Sequence, residues 1–123
     1  MPSTRRDSLR LRAWAPVVLW AAVIFLFSSI PSLSSGLGGW DLVLRKLAHL
    51  TEYAILGALL VRALARSGLA ILLGGLYAFS DEVHQHFVRG RHGAWYDVLL
   101  DTVGVAIGVL VWRRLRSGQP ASR

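Results

Sequence analysis

Read for apolar runs broken by polar positions, the chain divides into four long segments. The first, residues 13–30, is bounded by Arg12 and Pro31 and carries no charged side chain. Its length approaches the ~20 residues that cross a hydrocarbon core of about 30 Å, so a first helix is expected there. Pro16 falls in the first turn of that predicted helix, where a missing amide donor costs little. Serines and Gly36, Gly38 and Gly39 follow as far as Trp40, which is the chemistry of a connector. This stretch lacks the Lys-Ser/Thr ending of a phosphate-cradling loop.

A second helix is expected over residues 44–64, with Arg45, Lys46, His49, Glu52 and Tyr53 in its first half and Arg62 near its end. A third starts near Gly68, but its uncharged stretch ends at Ser80, after only about 20 Å of helix. To span a bilayer it must continue through Asp81, Glu82 and His84. The fourth covers residues 94–112, with Asp97 and Asp101 in its opening turns. Gly104 and Gly108 follow at a spacing that lets membrane helices approach closely. The expected fold is all-α, an integral membrane four-helix bundle. A transmembrane domain at residues 13–112 is then flanked by basic segments at 1–12 and 113–123.

A basic start followed by an apolar run is also the pattern of a cleaved secretory signal, and Arg5-Arg6 faintly resembles a twin-arginine leader. No Ala-x-Ala site follows the run, so a retained helix is the expectation.

Composition reinforces the membrane reading. Of 123 residues 54% are hydrophobic, too much apolar surface for a small soluble core that still needs a polar exterior. The net charge of +7 raises nucleic-acid binding as a function class, but the positions of the basic residues argue against it. Arginines gather at the two ends and beside the apolar segments, as the cytoplasmic flanks of membrane helices do. With both termini cytoplasmic, only Arg45, Lys46, Arg89 and Arg91 fall on the outer side, which makes that the expected orientation. There are no cysteines, which excludes disulfides, thiolate catalysis and cysteine metal sites.

Helix rise places Glu52, Asp81 and Asp101 about 10 Å below the outer interface, in one layer contributed by three helices. A carboxylate facing lipid at that depth costs kilocalories per mole, so these groups are expected to face one another, cations or a water-filled notch. Lys46, His49 and Tyr53 share one stripe of the second helix. Asp81, His84 and Gln85 share a face of the third, and Asp97 and Asp101 stack on the fourth. The loop after the third helix adds His86, Arg89, Arg91 and His92.

Three chemistries fit the cluster. Cations beside buried acids suit a phosphate or pyrophosphate head group. A divalent metal among His49, Glu52, Asp81, His84 and Asp97 is conceivable, but no ligand spacing of the HExxH kind supports it. Proton relay through Glu52, Asp81 and Asp101 is the third. Against all three stands a structural account, in which pairs such as Lys46 with Asp97 or Arg91 with Asp81 fasten the helices together. His86 and His92 read as loop histidines, and Tyr77, Trp95, Tyr96 and Trp112 as interfacial or packing aromatics.

The assembled motifs resemble the VanZ-like family of small bacterial membrane proteins, named for a glycopeptide-resistance accessory protein. They read FSSIPS at the end of the first helix, KLAHLTEYAILG in the second, SDEVHQHFVRGRHGAWYDVLLDTVG across the third and fourth, and a closing Ile107-Gly108. The family's Lys-x-x-His-x-x-x-Tyr is similar to Lys46, His49 and Tyr53, with Glu52 in its acidic position. Asp81, Glu82 and Gln85 resemble its Asp-Glu-x-x-Gln, Arg91 and Asp97 its spaced arginine and aspartate, and Gly104 and Gly108 its late glycines. The likeness covers about residues 20–111. Two departures stand out: Arg89-Gly90-Arg91 replaces the usual Pro-Gly-Arg turn, and Asp101 stands where an asparagine is common.

The resemblance implies a role in the bacterial cell envelope, at the inner membrane, connected with glycopeptide (teicoplanin) susceptibility. It does not imply a known reaction, and the sequence holds no nucleotide loop, acyl-carrier motif or nucleophile-base pair. The expected function is recognition of an anionic envelope ligand such as a lipid-linked phosphate, with membrane lipid as the surrounding partner. Lys46, His49, Tyr53, Gln85 and Arg91 are the expected ligand-binding residues, and Glu52, Asp81, Glu82 and Asp97 the candidates for any proton handling or catalysis. No metal, cofactor or nucleic acid is expected. The alternatives are a membrane-embedded enzyme acting on a lipid phosphate and a structural partner of a larger envelope protein.

Overall fold

The computed structural model describes residues 4–29, 40–87 and 95–117. It holds four helices, α1 Thr4–Ser28, α2 Trp40–Leu64, α3 Ser67–His86 and α4 Trp95–Ser117, with no strand among the described residues. The connector before Trp40 and the loop bearing Arg89, Arg91 and His92 lie outside them.

Three boundaries differ from the sequence expectation. α1 begins at Thr4, so Pro16 sits well inside the helix. The Arg- and Leu-rich stretch before the apolar run is made of good helix formers and simply prolongs it. α2 begins at Trp40, which therefore belongs to the helix and not to the connector. α4 runs on through the basic residues to Ser117. α3 does continue through Asp81, Glu82 and His84, and its 20 residues extend about 30 Å.

α2 passes into α3 through only Ala65 and Arg66. Ala65 takes a left-handed conformation at φ 60° and its amide donates to the Val61 carbonyl at 2.8 Å, closing the C-terminus of α2 as an αL cap does. Arg113 Nη2 donates to the Ala65 carbonyl at 3.2 Å, tying the end of α4 to this turn.

The helices alternate in direction. α2 and α4 run the same way, since Lys46 meets Asp97 at one end and Ala65 meets Arg113 at the other. α1 and α3 run opposite to them, with Ala21 against Tyr77 and Ser28 against Gln85. α2 and α4 make the most extensive contact in the bundle, whereas α1 packs on α2 and α3 and, among the described residues, its backbone stays away from that of α4. Glycine is the cause. A Cβ added to Gly104 would lie 2.8 Å from the Leu50 carbonyl oxygen, and one on Gly57 or Gly108 would overlap the backbone of Val105 or Ala54. Two helices so close leave α1 to pack at the periphery.

The core is narrow: Ile24 from α1, Tyr53, Leu56 and Leu60 from α2, Ala70 and Ala78 from α3, and Val105 and Val109 from α4. Large apolar side chains cover the outside, among them Val18, Leu19, Leu26, Leu72, Leu76, Phe79, Leu110 and Val111. An apolar exterior of this kind is costly in water and is the ordinary face of a protein solvated by lipid. The stretches Arg5–Ser28 and Val43–Leu64 are long and apolar enough to cross a membrane. The molecule is an all-α, four-helix membrane bundle.

Candidate functional site

At the end of the bundle where α2 and α4 begin, the polar stripes of α2, α3 and α4 converge. Lys46 Nζ forms an ion pair with Asp97 Oδ1 and lies 5.2 Å from the centre of the Tyr96 ring. Asp97 occupies the first turn of α4, where a negative charge also meets the helix dipole favourably. About one turn deeper on both helices, His49 Nδ1 stands 3.4 Å from Asp101 Oδ1. The two i, i+3/i+4 stripes therefore mesh, basic groups of α2 against acids of α4.

From α3 comes Asp81, only 4% exposed, whose Oδ2 accepts a 2.8 Å hydrogen bond from the hydroxyl of fully buried Tyr53. Such a bond to a charged group is worth about 1.5–3 kcal/mol, enough to fix the carboxylate's orientation. The imidazole of His49 and the carboxylates of Asp81 and Asp101 bring their ligand atoms within 4.8 Å of one another. Asp81 Oδ1 and Asp101 Oδ1 are buried and have no hydrogen-bond partner.

α1 closes the side of the site. The Trp20 indole donates to the Glu52 carbonyl at 2.8 Å, and the Tyr77 hydroxyl to the Ala21 carbonyl. Gln85 Nε2 donates to Ser28 Oγ at 3.3 Å, both groups buried. His84 stacks on Phe25 with ring centres 4.2 Å apart and places Nε2 2.9 Å from Ser29 Oγ. This is a serine-histidine contact that sequence reading did not find, because its halves lie 55 residues apart. The Ser29 hydroxyl is also within 2.8 Å of the Phe25 carbonyl, and donating there it accepts from an imidazole N–H of His84.

Of the expected site residues, Lys46, His49, Tyr53, Asp81 and Asp97 meet in this layer. Gln85 turns to Ser28 of α1. Glu52 and Glu82 are half-buried on the same helices and are not members of the His49 group. Arg91 lies outside the described residues. The residue that sequence reasoning undervalued is Asp101, placed in the charged layer but not among the candidate site residues, although it is 2% exposed and central. Its pairing with His49 depends on how α2 docks on α4, and no spacing along the chain announces it.

No curated protein and no solved structure matches this chain. A family model described as VanZ/LLP1 matches residues 13–116, which takes in all four helices and every member of the layer just described. On that match, and in agreement with the motifs around Lys46, Asp81 and Gly104, the chain belongs to the VanZ/LLP1 family.

Proposed function

We propose that the protein is a multi-pass protein of the bacterial inner membrane that recognises the phosphate of an anionic, lipid-linked envelope ligand at the polar end of its bundle. The observation that carries this reading is the Lys46 side chain, 33% exposed and braced by Asp97 and Tyr96, directly above a buried acid layer. An ammonium has three N–H donors, so Lys46 can donate to a phosphate oxygen while one donor stays on the Asp97 carboxylate that orients it. Exposed Arg45 lies beside it on α2, and Arg91 follows in the α3–α4 loop.

The orientation in this proposal puts both termini in the cytoplasm and the polar end outside. Its support is the charge distribution: Arg62, Arg113 and Arg116 line a cleft of about 560 Å³ at the opposite end of the bundle, where cytoplasmic basic residues belong. Residues 13–112 form the membrane unit in this reading, and a change in glycopeptide susceptibility is the expected consequence of ligand recognition. Asp81 and Asp97 are the groups through which a catalytic version of the same site would move protons.

The test is native mass spectrometry of the protein in phosphatidylcholine nanodiscs supplied with a polyprenyl phosphate or the matched polyprenol. Retention of the phosphate over the alcohol, lost in Lys46→Met while the variant remains folded and elutes as wild type does, supports the proposal. Equal retention of the two lipids, or of the phosphate by wild type and Lys46→Met, overturns it.

A further inference from the structure

Among the described residues, two buried aspartates stand side by side with only Tyr53 and His49 to meet them, which leaves one oxygen of each without a hydrogen bond. Asp81 and Asp101 come from different helices, are 4% and 2% exposed, and each leaves Oδ1 without a hydrogen bond. Burying one unpaired carboxylate is expensive, and burying two side by side adds their mutual repulsion. Lys46 is already engaged by Asp97, and His49, 3.4 Å from Asp101 Oδ1, can offset at most one of the two charges.

We propose that His49, Asp81 and Asp101 form a binding site for one divalent transition-metal ion, zinc being the best fit. The three donor atoms lie within 4.8 Å of one another. His49 Nδ1 and Asp101 Oδ1 are 3.4 Å apart, longer than the usual span of about 2.7–3.2 Å for an N–H···O hydrogen bond. It is, however, the edge of a tetrahedron whose metal bonds are about 2.0–2.1 Å, as zinc makes with nitrogen and oxygen donors, and the wider separations, up to 4.8 Å, must close toward that edge when the ion binds. Two carboxylates and a neutral imidazole carry a charge of −2, so a divalent ion makes the buried group neutral and removes the cost of enclosing it.

Donor type narrows the choice of ion. An imidazole among the ligands favours zinc and its first-row neighbours over magnesium and calcium, which prefer an all-oxygen shell with more members. Three protein ligands leave one tetrahedral position for water or an incoming oxygen. Tyr53 completes the arrangement from outside: its hydroxyl holds Asp81 Oδ2 and leaves the same carboxylate's Oδ1 without a hydrogen bond, as an outer-shell partner orients a metal ligand. The site lies below Lys46 and does not depend on the phosphate reading.

Sequence spacing gives no hint of such a centre, because each ligand comes from a different helix and there is no i, i+4 histidine pair. The test uses full-length protein purified in detergent through a tag without histidines, stripped with chelator and then dialysed against zinc or cobalt(II). Wild type should hold one zinc per chain by plasma mass spectrometry, and cobalt should give the visible d–d absorption of a four-coordinate site, abolished by added zinc. His49→Gln, Asp81→Asn and Asp101→Asn, scored only when they elute with the wild-type detergent complex, should each lower affinity at least tenfold. Tyr53→Phe should weaken binding by about 10–100-fold with stoichiometry intact. His86→Gln, an exposed histidine at the same end, should bind as wild type does. Wild type that takes up clearly less than one zinc at saturation, or His49→Gln with undiminished affinity, overturns the proposal. The wild-type measurement decides the matter even if every ligand variant fails to assemble.

Discussion

Gly108 of α4 lies directly against the backbone of Ala54 of α2, so closely that a Cβ at position 108 would overlap the Ala54 carbonyl. This contact, repeated by Gly104 against Leu50 and by Gly57 against Val105, sets the distance at which Lys46 reaches Asp97 and His49 reaches Asp101. Gly108→Leu and Gly57→Ala should therefore lower stability by about 1–3 kcal/mol or more, since the obstruction is backbone and cannot rotate away. Gly68, with open space around its Cα, provides the contrast: Gly68→Ala should raise stability by about 0.5–1 kcal/mol. Thermal unfolding in detergent measures both, and equal responses at positions 68 and 108 would mean that α2 and α4 do not meet as described.

The ion pair between Lys46 and Asp97 is partly exposed, with side-chain exposures of 33% and 18%. Its coupling energy, from the cycle of Lys46→Met, Asp97→Asn and the double variant, should be about 1 kcal/mol. A coupling of several kilocalories per mole would assign the pair to fastening α2 to α4 and remove the accessible cation on which phosphate recognition depends.

Ala65 bears a left-handed backbone that costs an alanine about 1–2 kcal/mol and a glycine nothing. Ala65→Gly should accordingly stabilise the protein by about 1 kcal/mol, read as an increase in melting temperature. A decrease would show that the α2–α3 turn adopts another conformation in the membrane.

Topology can be read in cells. With both termini cytoplasmic, reporter fusions after Arg66 and Arg116 should report inside, and fusions near Gly38 and His92 outside. An inside signal at His92 would place the polar end in the cytoplasm and exclude an extracytoplasmic ligand.

The sequence alone determined the number of helices, the continuation of α3 through Asp81 and Glu82, the concentration of polar groups at one end and the family. All of these are written in local pattern: the length of an apolar run, the spacing of polar residues on one helix face, the order of short motifs. The Lys46 and Asp97 pair was also legible, because both lie in the first two turns of helices expected to begin at the same end. Starts of helices were less legible, as at Thr4 and Trp40, because a basic or aromatic residue is as compatible with a helix as with the segment before it. Only the tertiary structure decided that α2 and α4 are immediate neighbours, that Asp101 faces His49, that Tyr53 holds Asp81, and that Ser29 meets His84. The docking of α2 on α4 follows from glycines that admit a backbone on the other helix, and all of these relationships are properties of two surfaces together, which neither segment specifies by itself.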